Sequence, residues 1–326
     1  MAEDYMRPDV QAFLAYLNNV PGPKMHEMGA PAARAMYVAM RPLADADVGE
    51  LAVLKNISIP GPAGNIPARL YDARDKREPG PVMVFFHGGG FVIGDLESHE
   101  PYCAEAARQL DIPVVAIDYR LAPEHPFPAA PDDCEAATRW IASSPAELGR
   151  AVTSLVLSGD SAGGNLTIVT TQALRDKSAA VPVIAQFPIY PAVDDHEMFA
   201  SYDQHKIGKL LTEESMTWFF DSYAAPASDI RGAPLRHTHT GTPPTLIMTA
   251  GLDPIRDHGR AYAAALAQAG VTVSYREAEG NIHGFICLRR AVPSSTGDIL
   301  GAFAVLKPMI AEAEADRVMR QAAQAA

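Results

Sequence analysis

Positive charge, cysteine and long apolar runs are all scarce in this chain. Its 326 residues carry 27 Lys and Arg against 39 Asp and Glu, a formal net charge of −12. Contact with a phosphate backbone needs a basic surface, so this balance argues against a nucleic-acid partner. Only three cysteines occur, Cys103, Cys134 and Cys287, spaced too widely for a metal site. Nothing around them favours a thiolate, so the expected role is buried packing in a reducing compartment. No apolar run approaches the ~18 residues of a membrane span. The opening MAEDYMRPDV is acidic and lacks the apolar core of a signal peptide, so a cytoplasmic protein is expected. Internal repeats are absent. The alanine-rich AEAEADRVMRQAAQAA at the far end reads as a surface helix with a fraying end. What remains, 48% hydrophobic and 20% charged, is ordinary globular composition, long enough for one sizeable core.

Between about residues 80 and 280, short runs rich in Val and Ile alternate with helical patterns. The runs are 82–86, 114–118, 155–158, 183–187, 246–250 and 271–275, apolar at successive positions as strands buried on both faces require. Helical patterns at 102–110, 132–141, 165–175 and 256–268 separate them. Strand then helix, repeated, predicts an α/β fold: a mostly parallel sheet with helices on both faces. Segments 51–59 and 66–72 flank Gly-Pro-Ala-Gly-Asn and read as an antiparallel hairpin at the sheet edge. Residues 1–48 look helical, broken at Val20-Pro-Gly-Pro, and residues 192–236 interrupt the strand–helix rhythm. Within that insertion Thr212 can cap a helix whose first turn holds Glu213 and Glu214. Met216, Phe219, Phe220 and Tyr223 then form one apolar stripe. Such a stripe serves ordinary packing or a cap over a site. Its position between strand-end loops, where α/β sheets bind ligands, favours the cap.

One serine stands out. Gly159-Asp-Ser-Ala-Gly163 follows an apolar run and precedes a helical pattern, so G-x-S-x-G stands in a strand–turn–helix setting. A nucleophile on a sharp turn brings its neighbours against adjacent backbone, where a Cβ at Gly159 or Gly163 would clash. The helix N-terminus behind Ser161 adds positive potential where negative charge develops. A serine hydroxyl needs a base oriented by an acid. Among the histidines after Ser161, His196, His205, His237 and His239 fall in the insertion, and His258 falls inside a helix. His283 alone sits in a loop just past a strand, in Gly280-Asn-Ile-His-Gly-Phe285. Asp253 follows the run 246–250, kept out of helix by Pro254. Its rival Asp257 lies one turn into the next helix, where bracing the loop is the expected role. His87-Gly-Gly-Gly90 follows the run 82–86, and its glycines let backbone N–H groups turn toward an oxyanion, together with Ala162. The chain lacks G-x-G-x-x-G there and lacks G-K-[ST], which argues against a nucleotide site. His87 itself is expected to shape the loop.

With these elements placed, the chain resembles the hormone-sensitive-lipase-like bacterial carboxylesterases. The matching stretches are FFHGGGFVIGD, DYRLAPEHPFPAAPDDC, SGDSAGGNL, GLDPIRDHG and GNIHGF, in family order. The resemblance implies an α/β-hydrolase fold with a mostly parallel eight-stranded sheet. It implies a triad of Ser161, Asp253 and His283, oxyanion N–H groups from Gly89, Gly90 and Ala162, and a supporting turn at Gly88. It implies a discontinuous helical cap from 1–48 and 192–236 over a catalytic core of 49–191 and 237–326. Phe91, Tyr190, Met216, Phe219 and Ile255 are candidate pocket residues. The expected activity is hydrolysis of short- to medium-chain carboxylic esters through an acyl-enzyme, with no metal and no cofactor. The expected partner is a small-molecule ester, and a homodimer is possible. An amidase, lactonase or peptidase could run on the same triad, and a non-catalytic ligand-binding relative is a remoter alternative.

Overall fold

The computed structural model describes residues 5–325. One sheet holds β1 (Val53–Gly61), β2 (Gly64–Asp72), β3 (Gly80–Phe86), β4 (Val114–Ile117), β5 (Val152–Asp160), β6 (Val183–Ile189), β7 (Thr245–Leu252) and β8 (Val273–Ile282). Their spatial order is β1-β2-β4-β3-β5-β6-β7-β8. β2 pairs antiparallel with both β1 and β4, and all other neighbours are parallel. The eight-stranded, mostly parallel sheet and its edge hairpin match the sequence reading.

On β3, Val82, Val84 and Phe86 enter one apolar cluster while Met83 and Phe85 enter another. Successive side chains leave opposite faces of a strand, so a strand covered on both sides is apolar throughout. The helices are α1 (Pro8–Asn19), α2 (Met25–Met28), α3 (Ala30–Ala44), α4 (Glu100–Leu110), α5 (Ala129–Ala142), α6 (Ala162–Asp176), α7 (Ala200–His205), α8 (Glu213–Tyr223), α9 (Arg256–Gln268) and α10 (Ser295–Ala325). Cys134 and Ile141 of α5 and Leu166 of α6 join the first cluster; Tyr102 of α4 and Phe303 of α10 join the second. The chain therefore leaves β3 toward one face of the sheet and β5 toward the other. The two loops diverge at the strands' C-terminal ends and leave a crevice there, the usual ligand position in such sheets.

Two elements depart from the sequence reading. β8 starts at Val273 rather than 271 and continues through Arg276, Glu277 and Glu279 to Ile282. It is an edge strand with one partner, so its outer side is charged and an apolar-run criterion sees only part of it. The alanine-rich tail is the end of the 31-residue α10, whose Ile299, Phe303, Leu306 and Ile310 recur at helical spacing and are buried. Ala326 of that tail and residues 1–4 of the expected N-terminal helical region lie outside the described residues.

Helices α1 to α3, and the insertion carrying α7 and α8, pack at the sheet's C-terminal edge. Val10 and Leu14 of α1 cluster with Leu252 and Ile282, the last residues of β7 and β8. Arg34 of α3 donates from Nε to the Val92 carbonyl and from Nη2 to the Ala122 carbonyl, both at 2.8 Å, and grips Glu124 with two further bonds. At the start of α8, Thr212 and Ser215 exchange backbone-to-hydroxyl bonds, the cap that Thr212 promised. Met216 and Tyr223 are buried, whereas Phe220 faces outward and stacks on His196. The apolar stripe is thus narrower than the four residues expected.

Candidate active site

Ser161 sits between the end of β5 and the first residue of α6 at φ 56° and ψ −116°. A positive φ is costly for a residue with a side chain and persists where surroundings enforce it. Here the Ser161 N–H donates to Ile189 O at 2.9 Å, and the Asn165 N–H donates to Ser161 O at 3.0 Å. A Cβ on Gly163 would meet the carbonyl oxygen of Phe86, and one on Gly159 would meet that of Gly163, so both positions exclude any larger residue.

The three side chains singled out in the sequence lie in one line. Ser161 Oγ is 2.9 Å from His283 Nε2, and His283 Nδ1 is 2.7 Å from Asp253 Oδ2. The other Asp253 oxygen accepts the Ile255 N–H at 2.9 Å, and Asp253 is wholly buried. Such a carboxylate fixes Nδ1 as the protonated nitrogen and leaves Nε2 free to receive a proton from the hydroxyl. β7 and β8 place both partners: Asp253 comes directly after Leu252, and His283 directly after Ile282. Asp257 lies apart from this line. It accepts the Ser201 N–H at 3.1 Å and pairs with Arg256 and Arg260, which ties α7 to α9.

The glycine loop after β3 faces the serine. Gly89 and Gly90 adopt φ of 117° and 59°. Among the described residues, the N–H groups of Gly89, Gly90 and Ala162 donate no hydrogen bond, whereas the Gly88 N–H is committed to Asp160 Oδ1 at 2.7 Å. His87 bonds the Gly88 carbonyl through Nδ1 and stacks on Tyr119 at 4.3 Å. Burial, then the neighbouring His99, lower its pKa to about 4, so it is a neutral strut within the loop.

Of the five candidate pocket residues, Phe219 of α8 lies closest over the glycines, its ring where a Cβ on Gly90 would point. Phe91 stacks on Tyr223 at 3.7 Å. Met216 and Ile255 share a small cluster with Tyr202. Tyr190 is fully buried behind the triad, its ring 4.4 Å from that of His283 and its hydroxyl 3.2 Å from Asp160. Cys103 and Cys134 are buried in the two core clusters, with burial pushing both thiols well above their ordinary range.

Asp160, to which the sequence motif assigns no role, has a buried carboxylate that carries the glycine loop. A charged residue at the end of an otherwise apolar strand was the available signal.

A family model described as alpha/beta hydrolase fold matches residues 83–287. The carboxylic ester hydrolase LipN of Mycobacterium tuberculosis is 42% identical over 72% of this chain, a match spanning 64% of LipN's own length. The ethyl acetate hydrolase of Pseudomonas putida is 35% identical over 80% of this chain and 85% of its own. Among solved structures, an ester hydrolase from the metagenome of Lake Arreo superposes with a TM-score of 0.86 at 36% identity, covering 94% of this chain and 99% of that one. A thermostable esterase from Pseudomonas putida gives 0.88 at 29% identity, covering 95% and 99%.

Proposed function

The chain belongs to the α/β-hydrolase-fold carboxylic-ester hydrolases, and from that footing we propose that Ser161 is its nucleophile, His283 its base and Asp253 the acid that orients the base. The observation that carries this reading is the unbroken line Ser161–His283–Asp253, set beside three uncommitted N–H groups at Gly89, Gly90 and Ala162.

Neutral His283 takes the Ser161 proton as Oγ attacks the ester carbonyl. The carbonyl oxygen, now negative, accepts from the three N–H groups, each worth about 10²- to 10³-fold in rate. Collapse expels the alcohol, which leaves with the proton from His283, and an acyl group stays on Ser161. Water gives a proton to His283 and attacks the acyl carbon; collapse then breaks the bond to Ser161 Oγ, which takes that proton from His283 as the acid is freed. No step in this sequence calls for a cofactor. The helices of 1–48 and 192–236 act as a cap over this site, a reading supported by Phe219 above Gly90 and by the seat of α1 on the ends of β7 and β8. Phe219 stands as an apolar wall directly over the glycine loop, which favours short- to medium-chain acyl groups. One relative's name, ethyl acetate hydrolase, supports the short end of that range.

The test is Ser161→Ala. Turnover of p-nitrophenyl acetate falls by on the order of 10⁶, because nucleophile and base act as a unit. An organophosphate labels the wild type stoichiometrically and leaves the variant unlabelled. Retention of more than a small fraction of turnover would rule out Ser161. An optimum at p-nitrophenyl laurate would instead overturn the chain-length reading.

A further inference from the structure

Behind the nucleophile lies a second charged pair that the mechanism above does not use. Asp160 is only 4% exposed, and no lysine or arginine pairs with it among the described residues. Its Oδ1 receives the Gly88 N–H and stands 3.2 Å from His99 Nε2, off the line of an ideal hydrogen bond. His99 immediately precedes α4 and is 1% exposed. Its other nitrogen, Nδ1, lies 3.0 Å from Ser98 Oγ. Ser98 Oγ accepts the Asp95 N–H at 2.9 Å and lies 2.9 Å from the Asp95 carbonyl; with its single hydrogen on that carbonyl it faces Nδ1 as an acceptor. In that arrangement one ring nitrogen donates to a hydroxyl oxygen while the other faces a carboxylate. A neutral imidazole can donate from only one nitrogen.

We propose that His99 is a buried imidazolium, a positioning residue that pairs with Asp160 and thereby sets the glycine loop for catalysis. A buried carboxylate without a counter-charge costs several kcal/mol. It would also place a negative charge one residue from the nucleophile, against the oxyanion that must form there. The His99 charge removes both penalties. It keeps Asp160 ionised to hold Gly88, and it cancels the field of Asp160 at the loop. Burial alone would lower the His99 pKa, but Cys287 and Asp160 hold it well above the ordinary histidine range. The Asp160 carboxyl is lowered although burial acts to raise it, with His99 as the strongest opposing influence. The titratable groups facing His99 are Asp160 at the end of β5, His87 in the glycine loop, Tyr37 on α3, and the Cys287 thiol beyond β8.

This inference rests on Ser161 as nucleophile, but its first test does not. Nitrogen-15 NMR of the wild-type histidine rings at pH 7 should show both His99 nitrogens protonated; a neutral ring overturns the proposal. Kinetics give the second test. His99→Gln lowers kcat for p-nitrophenyl acetate by about 10²-fold, the worth of one oxyanion donor, with KM within a factor of about three. Asp160→Asn/His99→Gln loses no more than Asp160→Asn alone, since both act through one pair. Wild-type kcat in His99→Gln, or losses that multiply in the double variant, overturns the proposal. Should His99→Gln fail to fold, the NMR result decides alone. A neutral His99 ring combined with an inert Ser161→Ala variant would remove this inference and leave the proposed function standing.

Discussion

At the scale of single residues, the site depends on which group spends which hydrogen bond. Asp253 gives one oxygen to His283 and the other to its own turn, so its replacement changes the tautomer of His283 more than its position. Asp253→Asn would present an amide to Nδ1 and turn the protonated nitrogen toward Ser161. The expected loss is on the order of 10⁴ in kcat, with the melting temperature nearly unchanged. Stopped-flow or steady-state kinetics beside a thermal melt check this, and near-normal turnover would remove Asp253 from the mechanism. These three residues were legible beforehand because each sits in a short local pattern at a strand end. Asp160 was not. Its bond is to Gly88, 72 positions earlier, and nothing local to Gly-Asp-Ser announces a partner on another strand's loop.

At the scale of elements, legibility followed burial. Strands buried on both faces were found close to their true limits, as was α9 (Arg256–Gln268), which matched residue for residue. β8 was found only in part because it is half solvent-facing, and of α10 only the exposed alanine-rich end was read, the buried stripe from Ile299 to Ile310 lying ahead of it. The detail of the 192–236 insertion was least legible, since short helices such as α7 take their shape from contacts with α9 and the turn before it rather than from periodicity. Within α8 the Thr212 cap holds the first turn of the helix that carries Phe219 over Gly90. Thr212→Ala should therefore cost about 1 kcal/mol, read as a shift in the urea midpoint at constant slope. An unchanged midpoint would show that tertiary contacts alone hold the turn.

For the whole molecule, buried histidines set the dependence of stability on pH. Burial lowers His87 to about 4 and His258 to about 3. As pH falls below about 6.5, the unfolded chain binds two protons that the folded chain still refuses, and each costs ~1.4 kcal/mol per pH unit. His196 and His239, also lowered by burial, act in the same direction. Asp118, raised to about 6 by burial and by Asp95, opposes them by one proton below pH 6, because the folded chain takes up that proton first. His99 acts on the other side. Its raised pKa contributes stability that is complete below about 6.5 and is lost as pH rises. Stability should therefore peak near pH 6.5 and decline in both directions. Urea midpoints at pH 5, 6.5 and 8 test this, and a curve still rising at pH 8 would contradict it.

The seat of α1 bears on the order in which the protein can be made. Its buried Val10 and Leu14 have as apolar neighbours Leu252, Ile282, Leu288 and Val292, and Arg7 closes on Asp298 at 2.6 Å and on the backbone of Glu279 and Gly280. Every one of those partners is synthesised more than two hundred residues after the helix that needs them. During synthesis α1 therefore cannot complete its seat until the segment reaching Asp298 has followed it, so this part of the molecule closes late.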